Sequence, residues 1–424
     1  MDILIFSCLL LFYIYLGVHF WNTQNIRPFV FWTVLLPFTS AFVLLHTKFQ
    51  ISVYYGLVVA PILFFVLKSI QKKTLPKIIF LLGAITLLFV SFYLPWGFLE
   101  SKGNNLAINI LKDLKPPALI LSSLIILNLI DNKQLDWNGK FAQNLLQFNF
   151  FTTIFFFLLL KFTNLLQFAT DDPFYAETDV RYMSMGCFFA IFYFIAKMAS
   201  KEKITSKELI LILTPIFLTG NRTFFVIIAI IFVVSLILEI GNVKLFFGRL
   251  LMLLFGIGIL FVGIINTNKA LTERIFSLFS PENLVHELME KRFSPFFIKL
   301  ESFEWYNYLI GKGLGDTFFI PWFTYRANID DFNVYMDNIY MTLFTKYGVG
   351  MSIPFFLLFF YINKTHNNKK FKVLVIVYFT VIGLTTSFMY QTSFLFILLL
   401  LASFRSETAS FAPIAKKRPS ITQK

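Results

Sequence analysis

The sequence predicts an all-α protein, a polytopic bundle of about 12–13 transmembrane helices with one large outer loop. Three observations predict it. First, 57% of the 424 residues are hydrophobic, Phe alone occurs 58 times, and the mean hydropathy is +0.73. A soluble core of this size cannot hide so much apolar surface, whereas a bilayer solvates it. Second, the apolar residues come in runs long enough to span a bilayer, parted by short polar stretches. Third, the net charge of +14 is carried by Lys and Arg between those runs. A soluble chain this basic would suggest nucleic acid; here topology explains the charge, and no nucleic-acid partner is expected.

The expected spans are 3–20, 29–45, 51–67, 78–98, 117–130, 144–160, 182–197, 208–220, 223–240, 248–266, 338–361, 373–389 and 391–404. The runs 117–130 and 208–220 are short for a bilayer. The first run lacks a basic flank and a small-residue cleavage site, so it is expected to stay as a helix. The bundle thus covers 1–404, with the loop 267–337 inserted in it and a basic, polar tail at 405–424 that is expected to be disordered. Orientation follows from charge. The loops holding Lys68, Lys72, Lys73 and Lys77, then Lys201, Lys203 and Lys207, then Lys364, Lys369, Lys370 and Lys372 are basic and are expected to be cytoplasmic, as is the tail. The stretch with Asp171, Asp172, Glu177 and Asp179, and the loop 267–337, are acidic or mixed and face outward. In the loop, Ser280 suits a helix cap, Pro281 the first turn and Glu282 the positive helix end. Leu284, Val285, Leu288 and Met289 would share one face, laid on the membrane surface or on neighbouring protein. Cys8 and Cys187 lie far apart in apolar runs and read as buried free thiols.

Four features could carry chemistry. Thr219-Gly220-Asn221-Arg222-Thr223 is a polar break between two apolar runs. It sets Arg222 at the outer end of a helical hairpin, facing a cavity or a charged partner, or snorkelling to the headgroups. Asp337-Asn338 stands directly before an apolar run, where an acid serves as general base or as helix cap. Gly311-Lys312-Gly313-Leu314-Gly315-Asp316 superficially resembles a phosphate cradle but lacks P-loop spacing, and reads as a flexible turn. Gly348 and Gly350 suit close helix packing. Arg181, Arg292 and Arg326 could bind an anion or be surface charges. The four histidines are scattered, and no metal site is expected. The pairs Asp171-Asp172 and Asp330-Asp331 could take a divalent cation, or be solvated acidic turns.

Taken in order, these features resemble the O-antigen polymerase (Wzy-type) family, within the O-antigen ligase and polymerase superfamily. The Gly220-Asn221-Arg222-Thr223 break opens a long apolar helix. A large late loop holds Gly311-x-Gly313-x-Gly315 and ends in Asp337-Asn338-x-Tyr340, followed by Gly348-x-Gly350. The layout covers about residues 140–400.

The resemblance implies a GT-C-like helical bundle in the bacterial inner membrane. It also implies polymerisation of undecaprenyl-diphosphate-linked repeat units at the outer face, into O-antigen or capsular polysaccharide, with no metal and no cofactor. Membrane lipids and a chain-length regulator are the other partners it implies. In the ligase branch a histidine commonly precedes the motif's Asn; here Asp337 stands there, which favours polymerase. Without a metal, arginines must stabilise the diphosphate leaving group, Arg222 first and Arg181 second. Asp337 would deprotonate or orient the acceptor hydroxyl. Asn338, Tyr340, Arg326, Gly311 and Gly313 would bind substrate. Trp305, Tyr306, Tyr308, Trp322 and Tyr325 would stack on sugar or pack within the loop. Ligase is the near alternative. A flippase would show repeated halves and short loops, and a metal-dependent glycosyltransferase an acidic pair in the first outer loop; neither feature is found.

Overall fold

The computed structural model describes residues 2–23, 27–34, 77–101, 107–129, 140–162, 184–200, 204–219, 221–238, 292–320, 332–365, 368–391 and 393–403, with isolated positions between them. The described residues are mostly helical, with connecting turns and loops and one two-stranded ribbon. The helices are α1 (Asp2–Thr23), α2 (Arg27–Val34), α3 (Lys77–Glu100), α4 (Ala107–Asp113), α5 (Lys115–Leu129) and α6 (Lys140–Phe162). They continue with α7 (Gly186–Ala199), α8 (Ser206–Leu218), α9 (Arg222–Ile237), α10 (Ser294–Leu300) and α11 (Trp305–Ile310). After the strands β1 (Phe318–Phe319) and β2 (Phe332–Asn333) come α12 (Ile339–Tyr347), α13 (Ser352–Thr365), α14 (Lys369–Thr385) and α15 (Ser393–Ser403).

Helix α7 is the hub of the bundle. It packs against α6, α8, α9, α14 and α15, and every residue from Gly186 to Ile195 is buried. A helix apolar on all sides belongs inside. Helix α3 does the opposite, leaving Phe80, Leu87, Leu88, Phe92 and Leu99 exposed, a surface that a bilayer solvates better than water. Among the described residues, three stretches are long and apolar enough to cross a membrane: Ile79–Glu100, Lys140–Leu159 and Ile339–Asn363.

Capping sets the ends. Thr205 and Glu208 form a reciprocal capping box at the start of α8. Glu208 is tied down further by the Tyr193 hydroxyl at 2.7 Å and Lys197 at 3.4 Å. Asn221 caps α9, its Oδ1 accepting from Thr223 N–H at 3.0 Å. The Asn368 amide donates to the Ala199 carbonyl, while Phe188 meets Phe224 and Phe192 meets Tyr378. Helices α7 and α14 are therefore antiparallel. The starts of α7 and α9 and the end of α14 lie at one end of the bundle, and Ala199, Thr205 and Asn368 at the other.

The structure revises several expectations. The run 338–361 is long and apolar enough to cross a membrane, as expected, but its helix is interrupted: it divides into α12, a 3₁₀ turn over Gly348–Met351, and α13. Gly348 has φ +53°, and a Cβ there would collide with the Leu309 backbone, so an apolar run continuous in composition is broken by a close approach. The all-α reading misses the antiparallel ribbon pairing Phe318 with Asn333 and Phe319 with Phe332. It also misses the short helices α4, α10 and α11. Cys8 is exposed, not buried; Cys187 is buried, and both are free. Most of the spans 29–45, 51–67 and 248–266, nearly all of the helix expected after Ser280, and the tail lie outside the described residues.

Candidate functional site

The polar end of the bundle is organised around the start of α12. Asn338, not Asp337, is its N-cap: Asn338 Oδ1 accepts from Met341 N–H at 3.0 Å. The same side chain donates to the Leu384 carbonyl at 3.2 Å. Arg292 Nη1 donates to the next carbonyl, Thr385, at 2.5 Å. Those carbonyls belong to the last turn of α14, where acceptors lack helical partners. Arg292 and Asn338 are thus held side by side on one helix end. Beneath them Thr342 and Ser387 interlock at 3.1 Å, and Ser387 donates to the Met336 carbonyl. Asp337 is exposed at the lip. Tyr335 stacks on Tyr390; burial, and secondarily the Asp337 carboxylate, push its phenol above the usual range, so it is protonated at neutral pH. Tyr340 is bound through its hydroxyl to the Thr380 carbonyl at 3.1 Å and stacks on Phe355.

The expected glycine turn is docked. Gly311, Gly313 and Gly315 all have positive φ, which glycine adopts without strain. Lys312 N–H donates to Thr345 O and Gly313 N–H to Lys346 O, both at 2.8 Å, capping the carbonyl end of α12. Leu314 N–H reaches Tyr93 O at 3.2 Å, and Gly315 N–H reaches Asp113 Oδ2 at 2.7 Å. The Gly311 carbonyl accepts from Trp96 Nε1 at 2.9 Å. The N–H groups that would cradle a phosphate are therefore engaged within the protein, and Gly311 and Gly313 shape the site by seating the loop. Lys312 completes the clasp, paired with Glu100 at 3.0 Å. A Cβ on Gly311 would strike the Lys346 backbone. Gly311→Ala is therefore expected to lower the thermal midpoint of the purified protein sharply, costing more than the roughly 1 kcal/mol of an ordinary glycine replacement. A midpoint within a degree of the parent would contradict the docked loop.

Of the residues singled out from sequence, Asn338 and Tyr340 share α12, with Asp337 directly before it. Arg222 opens α9 at the same end of the bundle as the last turn of α14. Gly311 and Gly313 sit at the opposite end of α12. Arg181 and Arg326 lie outside the described residues, as do Asp171, Asp172, Asp330, Asp331, Trp322 and Tyr325. Of the loop aromatics described, Trp305 is 75% exposed and Tyr308 is exposed, while Tyr306 packs edge-on against Trp96.

Two features were missed. The sequence offers Arg292 as an anion binder or a surface charge and gives no sign of its bond to the end of α14. Lys346, fully buried and paired with Asp113 at 2.7 Å, had not been considered, although a lysine inside an apolar run is the signal that marks a costly, purposeful charge.

A family model described as a family of unknown function (DUF6369) matches residues 138–412. No curated protein and no solved structure matches.

Proposed function

The chain belongs to the DUF6369 family of unknown function, and from the end of the bundle built around α12 we propose that it is a membrane glycosyltransferase. It transfers a growing glycan from its lipid-diphosphate carrier to the next lipid-linked repeat unit, at the outer face of a bacterial inner membrane. The proposal includes the remaining spans of a bundle of about 12–13.

One observation carries the reading: Arg292 and Asn338 are fixed on adjacent carbonyls of α14, beside the exposed carboxylate of Asp337. The chemistry needs two things at one place. The departing diphosphate needs cations, which guanidinium supplies bidentately, and the acceptor hydroxyl needs a base. Arg292 spends one donor on Thr385, and among the described residues the rest of its fork has no other hydrogen bond. Arg222, at the N-terminus of α9, adds a second cation where the helix dipole also favours an anion. Asp337 is the base or orients the acceptor. Trp305 and Tyr308 offer exposed aromatic faces for sugar.

A strain lacking the gene tests this. It should make lipid A core bearing a single repeat unit, because polymerisation is lost while ligation proceeds. Core with no repeat at all would refute the polymerase reading and point to ligase or flippase. Topology is tested separately. A cysteine replacing Glu290 is expected to react with an impermeant maleimide on intact cells whose outer membrane is permeabilised. Reaction only after the inner membrane is opened would overturn the site's outward placement.

A further inference from the structure

Asp113 and Lys346 are 233 residues apart and meet with both side chains fully buried, at 2.7 Å. Each also grips the glycine loop. Gly315 N–H donates to Asp113 Oδ2, and Lys346 Nζ donates to the Asp316 carbonyl, both at 2.7 Å. The Asp316 carboxylate is held in turn by Lys299 at 2.6 Å, and Lys299 also donates to Thr317 O. Consecutive loop residues are thus clasped by an acceptor on α4 and a donor on α12.

Stability alone is a poor reason for such a pair, because a buried ion pair seldom outperforms well-packed apolar residues. This one is also incompletely satisfied. Among the described residues Asp113 Oδ1 has no hydrogen-bond partner, and Asp113 lines a small cavity with Thr86, Phe89, Pro116, Pro117 and Leu357. The Tyr390 hydroxyl, also buried, lies beside the carboxyl. What the pair provides is polarity. A buried N–H demands an acceptor and a buried carbonyl a donor, so the loop seats in one register only. Lys346 also stands eight residues beyond Asn338 on α12, a rise of about 12 Å. Pinning one end of this helix sets where the other end, with Asn338 and Asp337, stands.

We propose that Asp113 and Lys346 are positioning residues, a charge lock that seats loop 311–317 on the bundle and thereby fixes the depth of the α12 end used in glycosyl transfer. Its effect on the loop is independent of the glycosyl-transfer reading; its effect on turnover rests on that reading.

The test uses full-length protein with Cys8→Ser and a reporter, Leu314→Cys, at a position that is fully buried. Maleimide labelling of residue 314 is timed in solubilised protein, and polymer length is read in cells. Lys346→Met and Asp113→Ala are each expected to speed labelling at least about tenfold and to leave mostly single repeats, with normal membrane levels. The swap Asp113→Lys with Lys346→Asp restores neutrality but reverses both backbone bonds, so it should label as fast as the single variants. Should Asp113→Ala fail to accumulate, Asp113→Asn replaces it: its amide oxygen still accepts from Gly315, and its rate should fall between parent and Lys346→Met. Parental labelling rates in the single variants, or rescue by the swap, would overturn the lock. Fast labelling with normal polymer would overturn the positioning role. The glycosyl-transfer reading fails by a different sign, namely no recovery of polymer when the parental gene is returned to the deletion strain.

Discussion

Arg222→Ala is expected to abolish polymer while the protein remains in the membrane at its normal level. The cap of α9 is Asn221, which keeps its bond to Thr223 N–H whatever stands at position 222. The cap therefore does not depend on the residue at position 222. The substitution does remove the cation proposed to meet the leaving diphosphate. Groups of this kind are worth about 10²–10³-fold in turnover when aimed at developing charge. Arg222→Lys should rescue poorly, because an ammonium cannot reproduce the planar fork that matches two phosphate oxygens. Immunoblotting of membranes and gel profiles of the polysaccharide measure both outcomes. Normal chain length in the alanine variant would remove Arg222 from the mechanism.

The next largest effect is expected at Asp337. Because Asn338 is the cap of α12, Asp337→Asn leaves the helix start untouched, and an exposed isosteric change should hold stability within about 0.5 kcal/mol. The amide cannot take the acceptor's proton, so turnover should fall about 10²–10⁴-fold. Asn338→Ala should behave the other way round. It removes the cap and the bond to Leu384, costing about 0.5–2 kcal/mol from the cap alone. Thermal midpoints and turnover measured on the same preparations separate the two. An Asp337→Asn variant of parental rate would leave the position without a chemical role.

The residues differ in how openly the sequence spoke for them. The apolar run after the polar break at 219–223 could be read directly, because a cap followed by a continuous apolar helix is a local signal, and α9 starts where the break ends. The reciprocal cap of α8 is also a local signal, Thr205 and Glu208 having the three-residue spacing of such a box, but the expected span begins only at 208 and does not take in the cap. The break after Tyr347 was not local. Gly348 takes a positive φ because the Leu309 backbone crosses it, and that neighbour lies outside the apolar run. The glycine turn looked like a free loop because its partners, Tyr93, Trp96, Asp113 and Lys346, come from helices distant in sequence. Asp337 and Asn338 stand at a helix start, as the sequence predicts, but Asn338 Oδ1 accepts the capping bond from Met341 N–H, and its amide donates to the distant Leu384 carbonyl. Arg292 acquired meaning only when α14 brought the Thr385 carbonyl to it.

As proposed, this membrane chain joins lipid-linked repeat units. Purified protein in proteoliposomes, supplied with undecaprenyl-diphosphate-linked repeat units and nothing else, tests it most directly. A ladder of lipid-linked glycans growing by one repeat at a time is expected, lost in Arg222→Ala and Asp337→Asn. Repeat units left unextended by a folded parental protein that does bind them would contradict it.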